Sequence, residues 1–298
     1  MDLTASRDLS GMVLVFIAGV LWSTVGLGIR MIDDAVVWQI LLYRSLGLAV
    51  LLYVVIRLRS RQGPFEMARR AGLPGLVGAL ALVAAYTGAI YAIQHTSVAN
   101  AMLLFACSPL LAALMGWVCL GERVRPATWG AMAVAGCGIA VMVWDKTGTA
   151  AWSGNVAALC SALGFALFTV ALRWGKAGEM MPAVFLSGLL AVVITAPVCL
   201  ASGLPLVLSP NDGAISFGMG VVQVGAGLVL YTVGSKTVPA VELTILSMAE
   251  VLLGPVWVWL FLGETATLYT FIGGAILLTA IIGNAISGAR RKPPPAMV

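Results

Sequence analysis

Charge is what this chain has least of. Of its 298 residues only 10% are Asp, Glu, Lys or Arg, where a soluble domain carries about 25%. That shortage excludes an ordinary water-facing surface, and a mean hydropathy of +1.03 points to a bilayer instead. Histidine is scarcer still, with His95 the single copy. One imidazole leaves little scope for a Ser–His pair. HExxH, GxSxG, aspartate pairs in helical register and Gly-rich phosphate loops are all missing. Nothing therefore supports a membrane enzyme, and neither a cofactor nor a metal is expected. Rings of charge that would suit a channel are absent too. The five cysteines (Cys107, Cys119, Cys137, Cys160, Cys199) lie inside apolar stretches without a CxxC pair. They read as small core residues, not a disulfide framework. Polar and apolar residues do not alternate, which excludes a transmembrane β-barrel.

What the chain does have is ten apolar stretches, each near the roughly 20 residues that cross a hydrocarbon core as helix. They run over Gly11–Met31, Val36–Ile56, Gly72–Ile93, Ala99–Leu120, Thr128–Val143, Trp152–Trp174, Met181–Ala201, Gly213–Gly234, Val241–Leu262 and Leu268–Ser287. Gln94-His95-Thr96-Ser97 and the Ser235–Pro239 segment separate spans that nearly touch. The first span is too long for a signal peptide and is expected to be retained. The net charge of +5 does not read as nucleic-acid binding. With the N-terminus inside, Arg30 and Lys146 fall outside, Arg44 lies within the second span, and the other fourteen of the 17 basic residues fall in the cytoplasm. That is the positive-inside asymmetry, and the basic side suits anionic lipid. The expectation is an all-α integral membrane protein with both termini cytoplasmic.

The halves repeat. Trp117-Val118-Cys119-Leu120-Gly121-Glu122 and Trp259-Leu260-Phe261-Leu262-Gly263-Glu264 close the fourth and ninth spans 142 positions apart. In the same register Thr128 matches Thr270, Ala133 matches Ala275 and Leu21 matches Leu163. The repeats run over 11–145 and 152–288, followed by a cytoplasmic tail at 289–298. Five spans per half is an odd number, so the second half enters the membrane upside down. Inverted repeats are a recurrent design of carriers that alternate access to a midplane site.

The run Ser108-Pro109-Leu110 through Leu120-Gly121-Glu122-Arg123, and Glu250-Val251-Leu252-Leu253-Gly254-Pro255 through Leu262-Gly263-Glu264, resemble the repeated signature of EamA-type proteins in the drug/metabolite transporter superfamily. Val20-Leu21-Trp22-Ser23-Thr24 and Arg44 are similar to the first and second helices of that family, and the likeness spans essentially the whole chain. With Tyr86, the first-helix motif resembles the bacterial aromatic amino acid exporters most. One departure stands out: Val251 follows Glu250 where the family often has proline, and Pro255 comes four residues later. Any bend in the ninth helix is therefore expected to be displaced. The resemblance implies export of amino acids, aromatic and other neutral ones, across the bacterial inner membrane. The alternative is a multidrug or amphipathic-metabolite exporter, with proton coupling open.

Charges inside a bilayer are costly and point to function by default. Arg44 and Glu250 are the two that lie deep, with either a structural or gating role or a substrate contact open to them. Trp38, Trp129, Trp144, Trp152 and Trp174 fall at span ends and read as interfacial anchors. Trp22, Tyr86, Phe105, Phe165, Phe168 and Tyr231 lie deeper. With Ser108 and Gln223 they are candidates to line a cavity with aromatic walls and a few polar groups. Helix packing is the competing role for each. Asn100 is a further polar candidate, and His95 reads as a satisfied loop residue. Gly218, Gly220, Gly225 and Gly227 make the eighth span compliant. The expected partners are a small molecule and lipid, not nucleic acid, and a monomer is the simplest assembly.

Overall fold

The computed structural model describes residues 3–60, 63–144, 149–176, 180–238 and 240–289. The expected basic residues Arg61, Lys146, Arg290, Arg291 and Lys292, and the tail beyond 289, lie outside the described residues. The described chain is helical, without strands. In order come α1 (Leu3–Ser23), α2 (Val25–Arg30), α3 (Val37–Arg59), α4 (Pro64–Arg70), α5 (Gly72–His95), α6 (Val98–Phe105) and α7 (Ser108–Leu120). Then follow α8 (Pro126–Trp144), α9 (Thr149–Trp174), α10 (Met181–Ala201), α11 (Pro210–Gly218), a π-helical segment Met219–Ala226, α12 (Gly227–Gly234), α13 (Ala240–Leu262) and α14 (Leu268–Ala289). Among the described residues nine stretches are long and apolar enough to cross a membrane, and α13 carries a shorter apolar stretch, Met248–Leu262. The molecule is a multi-pass membrane protein.

Local chemistry explains where spans break. The first divides at Thr24, whose hydroxyl donates to the Leu21 carbonyl at 2.7 Å and competes with the helical ladder. The fourth divides at Ala106-Cys107 because Pro109 has no N–H to bond back into α6. Ser97 starts α6 by accepting from the Asn100 amide at 3.2 Å. These divisions were not expected from hydropathy, nor was the short helix α4, which opens with Pro64 at its first turn. Pro255 is carried inside α13 without interrupting it.

Packing pairs each helix with a partner from the other half. α5 lies on α9 and α1 on α12; α3 lies on α10; α8 lies on α14; α7 contacts α9 and α13 contacts α1. Exchanging the halves reproduces this pattern. Glycines set the closest crossings. A Cβ on Gly138 would fall 2.6 Å from the Gly273 carbonyl, and one on Gly273 would fall 2.5 Å from that of Gly138. Backbones approach this closely only where side chains are absent. Trp144, Trp152, Trp174 and Trp129 are exposed near helix ends, and large apolar side chains cover much of the remaining surface, as lipid requires.

Two ends of the helix stack can be told apart by their contacts. One gathers Arg30, the Asp33–Ala35 turn, Gln94, Thr96, Val98, Asp212 and Glu264. The other holds the end of α3 with the start of α10 and the end of α12, and Gly175 against Pro74 beside the start of α5. The span Val98–Leu120 runs from the first end to the second.

Candidate functional site

Midway along α3, Arg44 is 7% exposed, and its Nη1 finds no hydrogen-bond partner. A buried polar atom without a hydrogen-bond partner is costly, so such an atom calls for an explanation beyond packing. Its Cζ lies 5.0 Å from the Tyr86 ring centroid, a cation–π arrangement. Ser187, which donates to the Val184 carbonyl, lies at the Tyr86 hydroxyl. Glu250 on α13 is half-buried and feels the charge of Arg44. No ion pair closes between them among the described residues.

The π-helical segment and the end of α11 before it pack their backbone directly on this part of α3. A Cβ on Gly220 would fall 2.0 Å from the Arg44 carbonyl, and one on Gly47 would fall 2.4 Å from that of Phe217. Extended π-helix is rare and concentrates at functional sites. It carries Gln223, whose Nε2 donates to the Trp22 carbonyl at 3.1 Å while its buried Oε1 has no partner. The Trp22 indole fits where Gly227 lacks a side chain, with its ring 5.3 Å from that of Tyr231. Beside it Trp257 donates to the Ser23 hydroxyl at 2.8 Å.

Of the residues expected from the sequence, Trp22, Gln223 and Tyr231 meet on one side of this centre, and Arg44 and Tyr86 on the other. Trp22 and Tyr86 pack on the same apolar cluster, built on Leu48, Leu52, Val224 and Leu228. Phe168 belongs to that cluster as a buried core residue. Phe165, 5.9 Å from it centroid to centroid, is 49% exposed on the flank of α9. Phe105 packs on the other cluster, and Ser108 stands half-buried at the start of α7. Trp257 and Asn155 were not singled out in the sequence. Trp257 sits in an apolar run that looks like any other.

The ends of the stack are unequal. At the first, Asn100, Asn155, Thr96 and Thr270 form a buried polar network: Asn100 Nδ2 and the Thr96 hydroxyl both donate to Asn155 Oδ1, and Thr270 donates to Asn100 Oδ1 at 3.5 Å. Asp212 accepts from the amides of Asp33, Asp34 and Ala35. Gln39 donates to the Pro205 carbonyl and Tyr43 to that of Leu206. His95 is held there too, stacked at 3.8 Å on Tyr91. At the second end a cavity of about 630 Å³ opens, lined by Ile56, Arg59, Met67, Met181, Val233 and Lys236 among others. That volume suits a small organic molecule, and no carboxylate lines it among the described residues.

A tandem repeat of membrane-spanning helices around a buried polar centre, with a cavity at one end of the stack, defines a protein of the transporter class. The profile of the EamA-like transporter family matches residues 9–144 and again 152–286, and the chain belongs to that family. It is similar to the pseudopaline exporter CntI of Pseudomonas aeruginosa, 26% identical over 249 residues, 82% of this chain and 84% of that protein. YwfM, an uncharacterised transporter of Bacillus subtilis, is 24% identical over 213 residues, 69% of this chain and 70% of its own. A crystal structure of a protein 20% identical in sequence matches with a TM-score of 0.65, over 96% of this chain and 100% of that one. At that identity the likeness shows the fold alone.

Proposed function

We propose that this transporter is a secondary carrier that exports carboxylate-bearing amphipathic metabolites, neutral and aromatic amino acids foremost, across the bacterial inner membrane. Its ten helices form two inverted five-helix repeats, 11–145 and 152–288, with both termini and the tail 289–298 in the cytoplasm. The end bearing Arg59 and Lys236 is then the cytoplasmic one, as the positive-inside asymmetry requires. Substrate enters by the cavity there once that end opens, binds near the midplane, and leaves when the repeats rock and open the other end.

The observation that carries this reading is the unpartnered Nη1 of buried Arg44. A carboxylate supplies the missing acceptor. Gln223 Oε1, also unpartnered, accepts from an amino group, while Trp22, Tyr86 and Tyr231 wall the apolar part. Phe105, Ser108, Phe165 and Phe168 are kept as outlying members of the same set, and Glu250 as the deep carboxylate that balances Arg44. The exporter among the relatives supports outward transport in general. The competing reading, export of drugs or other amphipathic metabolites, uses the same walls. The basic cavity disfavours cationic drugs within it.

Purified protein in liposomes tests this with labelled phenylalanine, methionine, threonine and a cationic dye, with and without a proton gradient. Saturable amino acid flux indifferent to the gradient is the expected result, and it leaves Glu250 a balancing charge. Flux of the dye alone, driven by the gradient, overturns the substrate class and makes the protein a drug/proton antiporter.

A further inference from the structure

Three ion pairs form among the described residues, and two of them join the halves. Arg30 closes the first span and meets Glu264 with Nε–Oε2 at 2.9 Å. Arg173 near the end of α9, the corresponding helix of the other half, meets Glu122 with Nη1–Oε2 at 2.5 Å. Both glutamates end the matched Leu-Gly-Glu, and both are aimed by the same turn. Gly121 and Gly263 each take φ of 68°, a left-handed cap that glycine adopts without strain. Their amides bond back to Trp117 and Trp259, and those of Glu122 and Glu264 to Gly116 and Val258. One device has thus been built twice. Glu264 also accepts from the Val98 amide, at the start of the span Val98–Leu120, and Glu122 follows its end. At about 1.5 Å per residue the two pairs are roughly 30 Å apart, at opposite ends of the stack.

We infer that Arg30–Glu264 and Arg173–Glu122 are the two gates of the carrier, each of which must part for its own end to open. This rests on the carrier reading above. Each pair ties a residue of one half to a residue of the other, so rocking the halves apart at either end breaks one pair and spares its counterpart. The gates are unequal. Arg30 Nη2 also donates to the Thr96 carbonyl at 2.8 Å, and the side chains are only 27% and 22% exposed. Arg173 has a matching tie, to the Ala112 carbonyl at 2.9 Å, but both side chains of its pair are 39% exposed. More exposed ion pairs hold less tightly, so the Glu122 gate yields first. That is the end where the cavity lies.

Hydrogen exchange read by mass spectrometry on the full chain in nanodiscs tests the gates without a known substrate. In Glu264→Gln, segments 98–105 and 268–275 should exchange several-fold faster, and segments 112–120 and 168–174 several-fold slower. Glu122→Gln should give the reverse pattern. Should Glu264→Gln fail to fold, Arg30→Lys keeps the charge and loses the forked contact, and should act in the same direction. Loosening confined to each variant's own end, with the far end unmoved, makes the pairs mere fasteners and overturns the inference. Reciprocal exchange in a protein that carries no tested solute leaves the gates standing and removes only the substrate reading.

Discussion

At the scale of single residues, Arg44 is the most informative position, because its structural and functional roles predict opposite results. Replacing a buried guanidinium whose Nη1 lacks a partner by an apolar side chain of similar length removes the cost of keeping that atom from water. Arg44→Met should therefore leave the thermal midpoint in detergent unchanged or raised. The same substitution should weaken amino acid binding at least about tenfold, the loss expected when a charge-assisted hydrogen bond is removed. A lowered midpoint with unchanged affinity, by calorimetry and thermal scanning on one preparation, would make Arg44 a structural residue. Arg44, Glu250 and Gln223 were legible in the sequence because a charge or an amide stands out in an apolar run. Trp257, Asn155 and Asp212 were not. Their partners, Ser23, Asn100 with Thr96, and the turn Asp33–Ala35, lie more than 50 positions away in the chain, and no local pattern announces such pairings.

Among the elements, the π-helical segment shows what glycine is for in this protein. Gly220 within it and Gly227, the first residue of α12, make room for the Arg44 carbonyl and the Trp22 indole respectively, so they set how closely this span approaches the buried centre. Gly218 has nothing within 4 Å of its would-be Cβ. Gly220→Ala should cost about 1–3 kcal/mol, the usual penalty for overpacking, and should also lower substrate affinity by displacing α3 at Arg44. Gly218→Ala is its control and should change neither. Equal behaviour of the two in thermal scanning and binding would remove the close approach as the explanation. At the α8–α14 crossing, Gly273→Leu should destabilise the fold by at least as much, since both neighbouring groups are backbone or near it. Hydropathy had marked the eighth span as glycine-rich and placed nearly every span end within a few residues. It did not reveal the π-helix or the divisions at Thr24 and Cys107. Those depend on hydrogen bonds, which a count of apolar residues does not weigh.

For the whole molecule the decisive property is the difference between its ends. The Asn100 network, the Asp212 cap and the Arg30 pair hold one end shut through bonds between distant segments. The other end keeps Arg59 and Lys236 around a cavity that no acid lines among the described residues. Basic residues in loops orient a membrane protein during insertion, but here two of them also line a cavity mouth. A mouth lined by one sign of charge concentrates ligands of the opposite sign, raising capture by about 10-fold or more at low ionic strength. The double variant Arg59→Gln with Lys236→Gln should accordingly raise KM for a carboxylate-bearing amino acid while kcat holds. The effect should appear only when substrate is supplied from the cytoplasmic side. Because the Debye length falls from about 10 Å at 0.1 M salt to 3 Å at 1 M, wild type and variant should converge as salt is added. Inside-out vesicles of neutral lipid, compared with vesicles containing anionic lipid, separate capture of solute from attraction to headgroups. A KM difference that survives high salt, or that requires anionic lipid, would mean that these cations serve insertion and lipid contact and not the recruitment of substrate.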